Sequence, residues 1–224
     1  MTVNIDSLNR SEALRYLSCH DEEAASSIPG IDECERELLK VLRPSFIYRY
    51  FDISVKEDEV KVEGSKLVLK GKDISKHLQN CYGAYLIAAT LGPEADRLIR
   101  KMQITDMAKA VITDAFASAA IEQVCAEAEK KIKSNEQGKF FTWRYAPGYG
   151  DFSIDIQKDF LDVLDAPRKI GLCTSQSRML VPIKSVTSVM GVSDSPLPPS
   201  ARGCVTCTMR EKCKFRKSGM HCGS

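Results

Sequence analysis

Apolar positions along the chain follow two different periods, and the segments they mark alternate. Residues 9–18 and 32–42 space their apolar side chains as short surface helices do, with Asp32 placed as an N-cap and Pro44 beyond the second segment's end. Residues 46–55 are rich in aromatic and β-branched side chains, which is strand composition. Residues 60–62 and 67–69, separated by Glu63, Gly64, Ser65 and Lys66, read as a hairpin. An unbroken apolar run over 84–91 ends in Gly92 and Pro93, as a buried strand feeding a helix would.

The longest feature follows. After a first helical segment over 94–102, residues 106–133 contain no Gly or Pro, and Met107, Val111, Ala115, Ile121, Val124, Cys125, Ala128 and Ile132 recur near helical spacing. Such a helix reaches about 42 Å at 1.5 Å per residue, enough to cross a domain. Ala108, Ala110, Ala115, Ala117, Ser118, Ala119 and Ala120 keep part of it small. Small side chains let another element approach the backbone closely, either a sheet or a ligand lying over that face. Asp114 and Glu122 fall within the same stretch.

Composition adds bounds. The chain has 224 residues, 43% hydrophobic and 28% charged, which is globular usage with enough length to bury a real core without disulfides. It has neither an apolar run of about 18 residues nor a basic leader followed by an apolar stretch, so the expectation is a protein that is neither secreted nor membrane-spanning. Nine cysteines are then read as reduced thiols, some ligating metal, in the cytoplasm. Charge divides the chain: positions 200–224 carry six Lys/Arg against one acid, whereas positions 1–199 carry 26 basic and 29 acidic residues. Three prolines and three serines within residues 193–200 mark the join. This gives a body over 1–192 with an N-terminal helical part over about 1–45, a Pro/Ser linker over 193–200, and a tail over 201–224.

The tail has its own chemistry. Cys204 and Cys207 form a C-x-x-C, whose spacing lets two thiolates grip one centre, and Cys213 and Cys222 complete a set of four, with His221 an alternative to Cys222. The neighbouring lysines and arginines favour thiolates and offset the charge of a tetrathiolate site. An iron-sulfur cluster and zinc both suit the set, as does a metal-free redox tail. Cys19, Cys34, Cys81, Cys125 and Cys173 are scattered and read as small core residues.

In the body, residues 140–151, FFTWRYAPGYGD, begin as an aromatic-rich strand and end in a turn, because Pro147 fixes its own φ and Gly148 tolerates positive φ. A strand stopped abruptly leaves backbone groups available to a ligand, Arg144 offers a planar fork for a carboxylate, and Tyr149 a stacking surface with a polar tip. Surface decoration is the competing reading of the same residues.

The string RYAPGY over 144–149 resembles the R-x-A-P-G-Y signature of the S-adenosylmethionine-binding activation domain of cobalamin-dependent methionine synthase, in its free-standing bacterial form. The likeness runs from about Ala84 through Met190 and takes in Leu91, Gly92, Pro93 and Glu94, the alanine-rich helix, and Pro182, Ser185 and Val186. What the resemblance implies is an α+β fold: a twisted, mainly antiparallel sheet with a long helix region and N-terminal helices, here with a small Cys-rich C-terminal tail added. It further implies that Arg144, Ala146, Gly148 and Tyr149, with Glu122 from the helix, bind S-adenosylmethionine. The family uses that ligand to remethylate cobalamin after one-electron reduction. Where the family places an aromatic pair after the Ser-Val element, this chain has Val189, Met190, Gly191 and Val192.

The expected role is an accessory to a cobalamin-dependent methyltransferase. It would bind S-adenosylmethionine and support reactivation of cobalamin held by a corrinoid protein, such as a methionine synthase lacking its own activation domain, with an electron donor. The Cys204, Cys207, Cys213 and Cys222 centre would deliver electrons or dock the donor. The alternative is a metal-containing binding module whose basic tail, with Arg210, Lys212, Lys214, Arg216 and Lys217, contacts nucleic acid or a protein partner. Phe215 is the tail's lone aromatic, so base stacking is poorly served. No glycine-rich loop or nucleophile constellation stands out, which assigns the chemistry to cofactors.

Overall fold

The computed structural model describes residues 1–19 and 28–198. At its centre lies β4 (Gly83–Thr90), buried at every position. Its residues are apolar on both faces, Tyr85, Ile87 and Ala89 on one and Ala84, Leu86 and Ala88 on the other, so it can be buried only between two covering layers. β1 (Ser45–Val55) and β8 (Ser185–Ser193) flank it, both antiparallel, with Tyr50 opposite Tyr85 and Met190 opposite the same Tyr85. The hairpin of β2 (Glu59–Val62) and β3 (Val68–Lys70) extends the sheet beyond β1, and β5 (Phe140–Phe141) closes the other edge. The strand order is β3-β2-β1-β4-β8-β5, and every neighbouring pair is antiparallel. The α+β class and the mainly antiparallel sheet are as expected from sequence.

One face of the sheet is covered by α1 (Arg10–Tyr16), α2 (Ile31–Val41), a helix over Pro93–Thr105, and the long helix over Met107–Asn135. The other face carries α3 (Lys72–Leu78) and two helices over Gln157–Leu164 and Ala166–Ile170. In chain order the four later helices are α4 (Pro93–Thr105), α5 (Met107–Asn135), α6 (Gln157–Leu164) and α7 (Ala166–Ile170). The small strands β6 (Cys173–Thr174) and β7 (Leu180–Val181) form a separate ribbon before β8.

The break between α4 and α5 has a local cause. Asp106 leaves helical geometry at φ −158° and its carboxylate accepts from Lys109 N at 3.1 Å, capping the second helix. α5 then runs 29 residues with an alanine-rich buried side: Ala110, Ala115, Ala117, Ala119, Ala120 and Ala128. Such small side chains bring the helix axis close to the sheet.

Several sequence expectations are corrected in detail. The N-cap of α2 is Gly30 at φ 78°, and Asp32 lies inside the first turn. The aromatic-rich strand expected over 140–151 pairs regularly at Phe140 and Phe141 and once more at Tyr145, opposite Val189. Between these points the Thr142 hydroxyl accepts from Gly191 N at 2.8 Å, replacing a ladder bond. Of the five scattered cysteines, Cys34, Cys81 and Cys125 are buried core residues, Cys19 is half-buried and Cys173 is exposed. The tail cysteines Cys204, Cys207, Cys213 and Cys222 lie outside the described residues.

Candidate functional site

Residues 143–152 form one irregular strand end and one turn, fastened at two points. Tyr145 exchanges both backbone bonds with Val189, each 2.8 Å. Beyond it Tyr149 N donates to Ala146 O at 3.2 Å, with Pro147 and Gly148 at the central positions and Gly148 at φ 100°, which is type II turn geometry. The second fastening is Asp151. Its carboxylate accepts from Lys72 N at 2.7 Å and Asp73 N at 3.1 Å. Gly71, the residue at the start of α3, has no side chain to cap the helix, so a residue 80 positions later does it. A Cβ on Gly71 would fall 2.6 Å from that carboxylate, so the cap excludes any side chain there.

Alternation along this segment sends its side chains to opposite faces. Trp143 and Tyr145 join the α6 side, where His77, Trp143, Tyr145, Tyr149 and Phe152 make a chain of ring contacts between 4.8 and 6.2 Å. His77 Nε2 also meets Trp143 O at 2.9 Å. Burial, then the carboxylates of Asp73 and Asp151, push the Tyr145 phenol up to about 12, so it stays protonated.

Arg144 points the other way, onto α5. Its Nη2 donates to Glu122 Oε2 at 3.1 Å and its Nε to Glu129 Oε2 at 3.2 Å. Lys133 Nζ donates to the other Glu129 oxygen at 2.6 Å. Burial opposes the charge of Glu129, but Lys133 and Arg144 outweigh it and hold the carboxyl below its ordinary range. Burial likewise opposes the Arg144 cation, yet the surrounding groups, Glu122 and Glu129 among them, leave it more firmly protonated than usual. Cys125, fully buried beside this cluster, has its thiol pushed up to about 12 by burial, which makes it an inert packing residue.

Asp114, Ser118, Glu122 and Glu129 are spaced so as to form one polar stripe along α5. Its upper end is occupied by Lys184, which reaches Asp114 Oδ1 at 2.9 Å and Ser118 Oγ at 2.8 Å with its side chain only 13% exposed. Ser188 lies opposite residue 146 by the Tyr145–Val189 register and on the α5 side by alternation with Met190. Its hydroxyl is buried with no hydrogen-bond partner.

The structure therefore brings Arg144 and Glu122 into direct contact and places the Ala146–Tyr149 turn beside them. It does not put the Tyr149 ring on that side: the ring sits 6.0 Å from Tyr145 in the opposite aromatic group, although 59% of the residue is exposed. Glu129, Lys184 and Ser188 were not legible as site residues. Glu129 carries a helical signal, seven residues after Glu122, whereas Lys184 and Ser188 depend on where β8 begins. A depression of about 350 Å³ lined by Val55, Lys56, Glu57, Ser75, Lys76 and Gln79 belongs to the α3 side and is separate from this cluster. Among the described residues no group of three or more His, Cys, Asp and Glu is arranged to hold a metal ion, and no helix is long and apolar enough to cross a membrane.

No family model matches the sequence, and no curated protein matches it. Among solved structures, the chain is similar to the crystal structure of the MetH reactivation domain bound to AdoHcy, with a TM-score of 0.53 and 18% identity, over 93% of this chain and 73% of that one. The two share a fold.

Proposed function

We propose that the chain binds S-adenosylmethionine, and its demethylated form S-adenosylhomocysteine, between α5 and the 144–149 turn, and that it supports reductive remethylation of cobalamin on a partner corrinoid protein. A methionine synthase lacking its own activation domain is such a partner. One observation carries the ligand reading: a planar cation, Arg144, stands against the half-exposed carboxylate of Glu122 beside a type II turn, in a fold shared with a domain crystallised with AdoHcy. The amino-acid end of such a ligand carries one carboxylate and one ammonium, and this site offers one partner for each. The turn adds what a sheet does not, because residues 146–149 leave the ladder and direct backbone groups away from it. When bound, the sulfonium supplies the methyl group, and the cobalamin belongs to the partner.

Calorimetry on the full chain tests the reading. Wild type should bind S-adenosylhomocysteine, and Arg144→Ala should weaken binding by about 1.5–3 kcal/mol, the usual worth of a hydrogen bond to a charged group. Equal binding by the two proteins would remove the hypothesis. Met190, which packs in the core at 0% exposure, offers no exposed aromatic surface to the ligand, so modest affinity is expected.

The same proposal assigns Cys204, Cys207, Cys213 and Cys222 to one metal centre that serves electron delivery or docking of the electron donor. Four thiols within nineteen residues, set in basic sequence, support it. An anaerobic absorption spectrum with iron, sulfide and zinc analysis separates the outcomes. Iron and sulfide in stoichiometric amount support electron transfer, and zinc alone restricts the tail to docking. If the purified chain carries no metal, or if truncation after Ser200 leaves methylcobalamin formation on a corrinoid partner unchanged, the tail has no part in the reaction.

A further inference from the structure

Arg144 reaches α5 because the strand that carries it holds one residue too many. Phe141 faces Val192 and Tyr145 faces Val189, so four residue steps on one strand run against three on the other. The surplus is a β-bulge, and the side chains show where it lies. Phe141 packs on the α5 side. Thr142 and Trp143, though consecutive, both lie on the α3 side: the Thr142 methyl stands with Leu78 and Cys81 around Gly191, and Trp143 packs against the core of that face. Arg144 then returns to the α5 side. Strict alternation from Phe141 would have turned Trp143 toward α5 and Arg144 away from it.

A bulge leaves a backbone group outside the ladder, and here α3 takes it. Thr142 N donates to Gly191 O at 3.1 Å and Tyr145 bonds Val189 through both N and O, but the Trp143 carbonyl is held from α3, where His77 Nε2 donates to it at 2.9 Å. A carbonyl only accepts, so Nε2 carries the proton. The peptide plane of that carbonyl includes the Arg144 nitrogen, so His77 fixes the unit from which Arg144 projects. The other end of α3 is tied to the same segment through Asp151, which caps Lys72 N and Asp73 N. Lys72 and His77 stand about 7.5 Å apart along the helix at 1.5 Å per residue, so α3 braces the segment once before the turn and once after it. Gly191 lets the brace close, since a Cβ there would fall 2.5 Å from Cys81 Sγ and 2.7 Å from Leu78 Cδ2.

We infer that the bulge at Thr142 and Trp143 aims Arg144 at α5, and that His77, from the opposite face of the sheet, is the positioning residue that holds the bulge. This rests on the proposed function, which needs Arg144 in that place.

Two variants isolate the bond. His77→Phe keeps a ring against Trp143 and Tyr145 and removes the donor, whereas His77→Gln keeps a side-chain N–H at similar reach. The first readout uses no ligand: urea unfolding of wild type, Arg144→Ala, Glu129→Gln and the double variant gives the coupling between Arg144 and Glu129. That coupling should fall to near zero in the His77→Phe background and return with His77→Gln. A side chain that merely supported the fold would lower the stability of all four proteins alike and leave the coupling as it was. The second readout is calorimetry on the full chain with S-adenosylhomocysteine and with methylthioadenosine, which lacks the amino-acid end. His77→Phe should weaken the first by about tenfold, the worth of one charge-assisted contact, leave the second unchanged, and have no further effect once Arg144 is replaced by alanine. Thermal unfolding of each variant shows that it is folded at the titration temperature.

A coupling that survives His77→Phe overturns the positioning role. A loss that His77→Gln does not restore assigns the effect to ring packing and overturns the part given to the hydrogen bond. If wild type binds S-adenosylhomocysteine and His77→Phe binds it equally well, this inference falls and the proposed function stands. If wild type binds neither ligand, the proposed function falls, and the coupling alone decides whether His77 aims Arg144.

Discussion

The two faces of the sheet are packed by opposite means. On the α5 side a long helix lays alanines against the strands and carries its polar residues in a stripe, so charged groups such as Arg144 and Lys184 are held at a seam within reach of solvent. On the α6 side, short helices contribute large side chains, Phe160, Leu161 and Leu164, and the 143–152 segment adds Trp143, Tyr145 and Phe152. The same few residues of chain feed both faces, because alternation parts Arg144 from its neighbours Trp143 and Tyr145. The aromatic side anchors the segment, and the helix side receives the cation that the anchoring makes rigid.

That difference predicts opposite sensitivities to volume. Phe160 is fully buried, and Phe160→Ala should cost about 3–5 kcal/mol in urea unfolding through lost transfer energy and a cavity that short helices only partly close. On the other face Ala120 is also at 0% exposure, and Ala120→Leu, which adds three carbons to a close-packed interior, should cost about 1–3 kcal/mol by overpacking. A larger loss at Ala120 than at Phe160 would reverse the comparison.

The next effect concerns the ion cluster. Arg144→Lys keeps the charge but cannot serve Glu129 through one edge and a ligand through another, so it should bind S-adenosylhomocysteine nearly as poorly as Arg144→Ala. Full rescue by Lys would mean that charge alone matters there. A smaller effect is expected at the fastening on the aromatic side. Asp151→Ala removes the cap of α3 and should cost about 0.5–2 kcal/mol of stability, with faster amide exchange at Lys72 and Asp73 as its local signature.

The comparison also explains what the sequence could reveal. The segments forming β1, the β2–β3 hairpin, β4 and α5 were legible because each carries one clear period or an unbroken apolar run over several residues. α3, α6 and α7 are short, and α3 takes its cap from Asp151 far along the chain, so no local signal marks it. Arg144, Pro147 and Gly148 announced a turn beside a cation through their own backbone chemistry. What engages Arg144 did not show, because Glu129 becomes its neighbour only when α5 lies across the strand end. Lys184 and Ser188 depend in the same way on the register of β8 against Tyr145. Local chemistry was readable, and contacts made by packing were not.

The smallest predicted effect is the pH dependence of the α5 seam. Burial alone would raise the Glu129 carboxyl, but Lys133 and Arg144 bring its folded value below the ordinary 4.5. A depressed folded value means that the unfolded chain binds the proton more readily. The stability Glu129 contributes is therefore fully present above the unfolded value and is lost as pH falls below about 4.5 through the lower folded value. Partial exposure and screening limit the contribution to about 1 kcal/mol or less. Glu129→Gln should thus be destabilised relative to wild type at neutral pH, with the difference shrinking below pH 4 or so. The Tyr145 face supplies the contrast, since its phenol at about 12 titrates far from this range, and Tyr145→Phe should leave the acid limb of the unfolding curve unchanged. A wild-type and Glu129→Gln difference that is constant from neutral to acid would show that Glu129 acts through packing and not through its charge.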